Sequence, residues 1–196
     1  MDSQPITSSN LPKNRFKGNN SDEAILNMLK AEHQKEFGFR MLVDKYKHQV
    51  YWQARRNLII HEDADDVAQN VFIRIWKGIS SFRGDSKLSS WIFRITVNET
   101  INFANSRKLS KTSITDHDAA IENALSDTYF SGNEIEKQFQ KALLLLPPRQ
   151  RMIFTIRYYD NTPFEDIATQ LELSTGAVKA SYHHAAEKMK KFLLND

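Results

Sequence analysis

Carboxylates and amides recur through residues 63–76 at helical spacing. Asp63, Asp66, Gln69, Asn70, Ile73 and Trp76 fall three or four apart on one stripe, with Gln69 and Asn70 as neighbours within it. An apolar stripe of Val67, Val71 and Ile75 runs beside it. Acids and amides of this kind pair with arginines on a partner protein, and Ile73 and Trp76 would anchor the contact. A second stripe suits a different ligand. Arg94, Asn98, Asn102 and Asn105 stand at i, i+4, i+8 and i+11, opposite Leu88, Trp91, Ile92 and Ile95. Guanidinium and amide groups hydrogen-bond phosphates and base edges. The plain alternative for both stripes is a solvated face. Asp63 would be favoured at a helix N-terminus by the dipole alone, and Trp91 suits a core.

Catalytic chemistry finds no comparable arrangement. The acids near residue 63 lack a second cluster, a nucleophile and a glycine-rich phosphate loop, so no enzyme site is expected. His183 and His184 are adjacent, and adjacent residues on a helix point different ways. No further ligand stands at a metal-binding spacing, and neither metal nor cofactor is expected. The chain has no cysteine, which excludes disulfides and thiolate metal sites.

The elements that would carry these residues are helical throughout, an all-α fold. Residues 1–20 are polar and read as a disordered tail. Ser21 caps a first helix bearing Ile25, Leu26, Met28 and Leu29. A second is expected over 36–58, with Phe39, Leu42, Val43, Tyr46, Val50 and Tyr51 on one stripe. A third covers 63–79, and a fourth runs from 86 to 107 after a polar loop containing Gly84. Residues 109–133, rich in Ser, Thr and Asp, read as a flexible linker. A second helical unit spans 134–196. Its first helix carries Ile135, Phe139, Ala142, Leu143 and Leu146 and stops at Pro147-Pro148. The next covers 149–159. Thr162-Pro163-Phe164-Glu165 predicts a capping box opening a short helix to 171. Ser174 then caps a last helix over 175–193.

A short helix, a tight turn and a second helix form the layout of a DNA-binding helix-turn-helix. Ile167, Ala168, Leu171, Leu173, Val178 and Tyr182 would pack inward. Ser174, Thr175, Ala177, Lys179, Ala180, Ser181, His183 and His184 stay near or on the outer face, where such a helix meets the major groove. An ordinary helical hairpin is the simpler rival.

Taken together, residues 63–108 and 142–193 resemble the extracytoplasmic-function (ECF) class of bacterial sigma factors. The first stretch matches the family's second region through Asp63-Ala64-x-Asp66-Val67-x-Gln69-x-Val71-Phe72, Trp76, the Phe82-Arg83-Gly84 loop and Ser90-Trp91-Ile92-x-Arg94-Ile95. The second matches the fourth region through Leu146-Pro147-x-x-x-Arg151, Arg157-Tyr158-Tyr159 and the helix-turn-helix. The wording from Ser174 to His184 is similar to Bacteroidetes-like members.

The resemblance implies a sigma factor of two small helical domains, 21–108 and 134–196. Asp63, Asp66, Gln69, Asn70, Ile73 and Trp76 would dock on the clamp of the largest subunit of core RNA polymerase, the second domain reaching the flap. Phe82, Arg83, Gly84, Asp85, Ser86 and Lys87, with Arg94, Asn98 and Asn102, would read the melted minus-ten element around a flipped base. Ser174, Thr175, Ala177, Lys179, Ser181, His183 and His184 would meet the minus-thirty-five element. Family members often carry Arg where this chain has Ser181 and His184, which leaves Lys179 as the main basic contact. The resemblance further implies an anti-sigma partner, a cytoplasmic location and no small-molecule substrate.

Composition agrees with a soluble, weakly basic protein: net charge is +3 and pI about 9.0. Residues 21–110 carry 14 basic and 11 acidic side chains, whereas 111–133 carry one and four. The rival readings are a polymerase-independent helix-turn-helix regulator, a protein-binding adaptor and a small helical enzyme. The regulator leaves residues 21–108 without a role, and the Arg-Asn stripe counts against the adaptor.

Overall fold

The structure, a computed structural model, describes residues 21–58, 60–110 and 134–194, apart from the side chains of 108–110. The expected tail at 1–20 and most of the expected linker, 111–133, lie outside the described residues. Every regular element among the described residues is helical.

Helix α1 (Asp22–Lys30) begins as expected at Ser21, whose hydroxyl accepts the Ala24 N–H at 3.2 Å. Helix α2 (Lys35–Arg55) packs close against it. At the crossing, a Cβ on Gly38 would sit 2.8 Å from Met28 Cβ, so only glycine permits this approach. Asp22 then ties the pair, accepting from Lys45 Nζ at 2.6 Å and Tyr46 Oη at 2.7 Å. Helix α2 stops at 55 rather than 58. The buried Arg55 guanidinium donates to the Leu58 carbonyl at 2.9 Å, which satisfies the chain as it leaves the helix.

Helix α3 (His61–Gly78) starts two residues before the expected 63, and a 3₁₀ turn follows over Ile79–Ser81. Helix α4 (Leu88–Ser110) starts later than 86 and runs past 107. Ile25, Leu42, Val50, Val67, Val71, Ile75 and Ile92 interlock between these four helices and are almost wholly buried.

The second unit comprises α5 (Glu134–Leu145), α6 (Pro148–Tyr159), α7 (Phe164–Leu171) and α8 (Thr175–Leu194). Pro148 occupies the first turn of α6, where its missing N–H is harmless. The expected capping box at 162–165 does not form: Pro163 itself is the N-cap of α7, without a side-chain cap bond. Its extended ψ of 148° holds Thr162 outside the helix. Ser174 does cap α8, accepting the Ala177 N–H at 3.2 Å. Helix α6 is the centre of this unit. Residues 151–156 along it are all buried, Ile153 and Ile156 almost completely.

The two units also meet. Val97 of α4 is buried in one cluster with Met152, Ile153, Ile156, Ile167, Ala168 and Val178. Phe93 and Ile101, one turn to either side on α4, pack on the same cluster.

Candidate functional site

On α3 the exposed face is chemically mixed. Val67, Val71 and Ile75 turn into the core. That leaves Asp66, Gln69, Asn70, Ile73 and Trp76 outside. Ile73 is 50% exposed and Trp76 38%, unusual for residues of this size on a packed helix. Trp76 meets Phe39 of α2 edge-on at 4.8 Å, with Lys35 Nζ 5.3 Å from its ring centre. Glu36, Phe39, Arg40, Phe72, Ile73 and Trp76 together line a shallow apolar groove between α2 and α3. Asp63, grouped with this stripe on spacing alone, is not on the face. It is buried and ion-paired to Arg107, so it fastens the start of α3 to the end of α4.

The loop before α4 shows two characters. Arg83, Gly84, Asp85 and Lys87 are exposed, and Gly84 adopts φ +85°, a conformation a side chain would strain. Phe82 instead leans on the Trp91 ring at 5.2 Å, half-buried. Ser86 accepts from Arg94 Nη2 at 3.2 Å. On α4 itself, Asn98 and Asn102 are exposed side by side, as their spacing required. Arg94 belongs to that stripe but is half-buried, because it also pairs with Glu172 of the second unit. Glu172 stands in the turn after α7 at φ +54°, the left-handed cap that ends the helix.

Helix α8 presents the third group. Val178 is buried and Tyr182 packs inward, stacked on Phe154 at 5.4 Å. Ser174, Ala177, Lys179, His183 and His184 are exposed, while Thr175 and Ser181 are partly covered. Lys179 is paired with Glu165 at 3.2 Å. The Glu165 carboxyl is held below its ordinary pKa by its own backbone N–H and by Lys179. Among the described residues no three His, Asp or Glu side chains assemble as a metal site.

Spacing gave no sign of a further polar set between the units. Gln53 Nε2 donates to Met152 Sδ at 3.2 Å, and Thr155 Oγ1 donates to Asn57 Oδ1 at 3.2 Å. At the edge Arg56 pairs with Asp160 at 2.5 Å and lies 4.9 Å from the Tyr159 ring centre. Gln53 in the last turn of α2 and Asn57 just past its end look in sequence like any solvated pair.

An exposed face of amides and apolar groups on α3, a polar Arg-Asn stripe on α4 and the helix-turn-helix layout of α7 and α8 make up a two-part helical protein. Comparison with known proteins gives the family. Residues 42–109 match Sigma-70 region 2, and residues 136–189 match Sigma-70, region 4. The RNA polymerase sigma-H factor of Pseudomonas aeruginosa is 31% identical over 165 residues, covering 79% of this chain and 86% of the relative. The ECF sigma factor SigW of Bacillus subtilis is 28% identical, with 79% and 88% covered. The ECF sigma-E factor of Escherichia coli K12 is 27% identical, with 85% and 91% covered. Among solved structures, CnrH in complex with the cytosolic domain of CnrY has the same fold, with a TM-score of 0.60 at 20% identity. That likeness covers 90% of this chain and 99% of the solved one. The chain therefore belongs to the ECF RNA polymerase sigma factors, which act in transcription initiation.

Proposed function

We propose that the exposed α3 face, Asp66, Gln69, Asn70, Ile73 and Trp76, is where this chain docks on the clamp of core RNA polymerase. The carrying observation is the exposure of Ile73 and Trp76 beside hydrogen-bonding amides. An apolar anchor ringed by polar groups is the composition of a specific protein interface. Asp63 is left out of this set because it is spent inside the fold.

Minus-ten recognition falls to Arg83, Gly84, Asp85, Ser86 and Lys87 of the loop, with Arg94, Asn98 and Asn102 of α4. Phe82 acts there through its packing on Trp91, holding the loop against α4. Minus-thirty-five recognition falls to Ser174, Thr175, Ala177, Lys179, Ser181, His183 and His184. Lys179 exchanges Glu165 for a phosphate, an exposed pair that costs little to break.

The partners are core polymerase, promoter DNA and an anti-sigma factor. The last is supported by the complexes in which similar folds were solved, CnrH with CnrY and the Bartonella quintana sigma factor with NepR. The chain acts by binding, without a catalytic step of its own. No helix among the described residues is long and apolar enough to cross a membrane. The reading places the factor in the cytoplasm with polymerase, and its Ser174–His184 wording supports a Bacteroidetes-like lineage.

The direct test replaces Trp76 by Ala and measures affinity for bacterial core polymerase. The expected loss is about tenfold, ~1.4 kcal/mol, with the helical circular dichroism unchanged. Unchanged affinity would move the docking face elsewhere.

A further inference from the structure

We infer that the recognition helix α8 selects its minus-thirty-five element through thymine methyl groups. Ala177 and Ala180 lie against the C5-methyls of an A·T-bearing segment, and Gly176 lets the backbone come close to the bases. The inference deepens the helix-turn-helix reading proposed above and rests on it.

Three observations carry it. The first is the direction of the helix. Val178, Ala185 and Met189 are buried, and Tyr182 stacks inward on Phe154. Gly176, Ala177, Ala180, His183 and His184 are all exposed on the opposite side. The first half of that outward face therefore carries no side chain longer than a methyl, and it is this half of a recognition helix that meets base edges. The second is Gly176. A Cβ there would meet nothing within 4 Å, and its φ is not positive, so neither packing nor backbone conformation within the chain calls for glycine. Glycine is a poorer helix former than alanine. A bare position that the fold does not require, on an outward face, suits a close approach from outside. The third is charge. Helix α8 contains no arginine, the side chain that most often reads guanine through O6 and N7. Lys179 stands at the edge of the face, drawn toward α7 by Glu165 at 3.2 Å. The Ser174 hydroxyl is occupied by the Ala177 N–H at 3.2 Å.

These side chains match one class of base pair. Of the four bases thymine alone presents a methyl group in the major groove, and alanine is one of the side chains that pack on it. Ala177 and Ala180 are three apart and so adjacent on the helix surface, placed to cover the methyls of neighbouring base pairs. His183 and His184 follow one turn beyond Ala180, where either ring can donate to a phosphate or a base acceptor. Recognition of this kind draws on buried methyl area rather than on charge, so each covered thymine methyl contributes about fourfold in affinity.

The test uses the full chain with bacterial core polymerase. Open complexes are first selected from promoters with a randomised minus-thirty-five segment, and thymine on one strand or the other is expected at adjacent positions. The selected promoter is then synthesised with either thymine or deoxyuridine in that segment alone, a change that removes only the C5-methyl and keeps the pairing. Deoxyuridine is expected to weaken promoter binding about tenfold where two methyls are lost. In Ala177→Ser/Ala180→Ser, with helical circular dichroism unchanged, the preference for thymine over deoxyuridine is expected to shrink below about twofold. Gly176→Ala is expected to weaken binding several-fold while thermal unfolding comes at no lower temperature. Selection of G·C pairs throughout the segment, or equal binding of the thymine and deoxyuridine promoters, overturns the inference. A thymine preference that survives both serines overturns the role given to the alanines, and unchanged binding by Gly176→Ala overturns the close approach. A chain that forms no open complex with polymerase on any promoter counts against the sigma reading instead.

Discussion

Single side chains in this protein carry opposed demands, and Arg151 shows it most clearly. A buried cation with an unpartnered Nε destabilises the state that buries it. Arg151→Met keeps the volume and removes the unmet donor. It is expected to stabilise the chain by about 1 kcal/mol in denaturant unfolding, and a clear loss of stability would mean that the guanidinium is partnered after all. Asp22 is the converse case. Partial burial raises its pKa, but hydrogen bonds from Lys45 and Tyr46 outweigh that and bring it below the ordinary 3.8. A carboxylate whose folded pKa is depressed contributes stability above its unfolded pKa and loses it as pH falls through the folded one. Stability of the native chain should therefore fall below about pH 4, and Asp22→Asn should flatten that acid limb while losing about 1 kcal/mol at neutral pH. An unaltered acid limb would remove Asp22 from the account.

Helices and turns were largely legible in the sequence, and the reasons differ by element. Ser21 and Ser174 were readable as caps because a hydroxyl at that position has an unsatisfied N–H within reach, and both bonds form. Ser174→Ala should cost about 1 kcal/mol in thermal unfolding, and the start of α8 should fray in hydrogen exchange; full retention of both would mean that the turn is fixed by packing alone. The capping box at 162–165 was misread. The motif was present, but Pro163 with ψ 148° keeps Thr162 clear of the helix, and Glu165 turned to Lys179 instead. The α3 face was only partly legible. Periodicity placed Ile73 and Trp76 outside the core stripe, yet it could not separate Asp63 from Asp66. Their difference depends on Arg107, 44 residues away in the chain. Gly84 was visible as a loop residue. Its φ of +85° makes Gly84→Ala a strained substitution, expected to cost about 1 kcal/mol.

At the scale of the whole molecule, sequence periodicity separates two helical units but says nothing of how they meet. Long-range pairs such as Asn57 with Thr155 or Arg94 with Glu172 leave no local signature, since each member is an ordinary helix or turn residue. The family assignment shows what the units have in common with other sigma factors. The helix that carries Arg94, Asn98 and Asn102 also supplies Val97 to the shared cluster. The α3 face proposed for docking lies apart from that contact, with Ile73 and Trp76 exposed. The most direct measurement is permanganate footprinting of a promoter library with the purified chain, core polymerase and both together. Reactive thymines near the minus-ten position only when both are present are the predicted result. A chain that binds duplex DNA by itself while polymerase gains no melting activity from it would contradict the account.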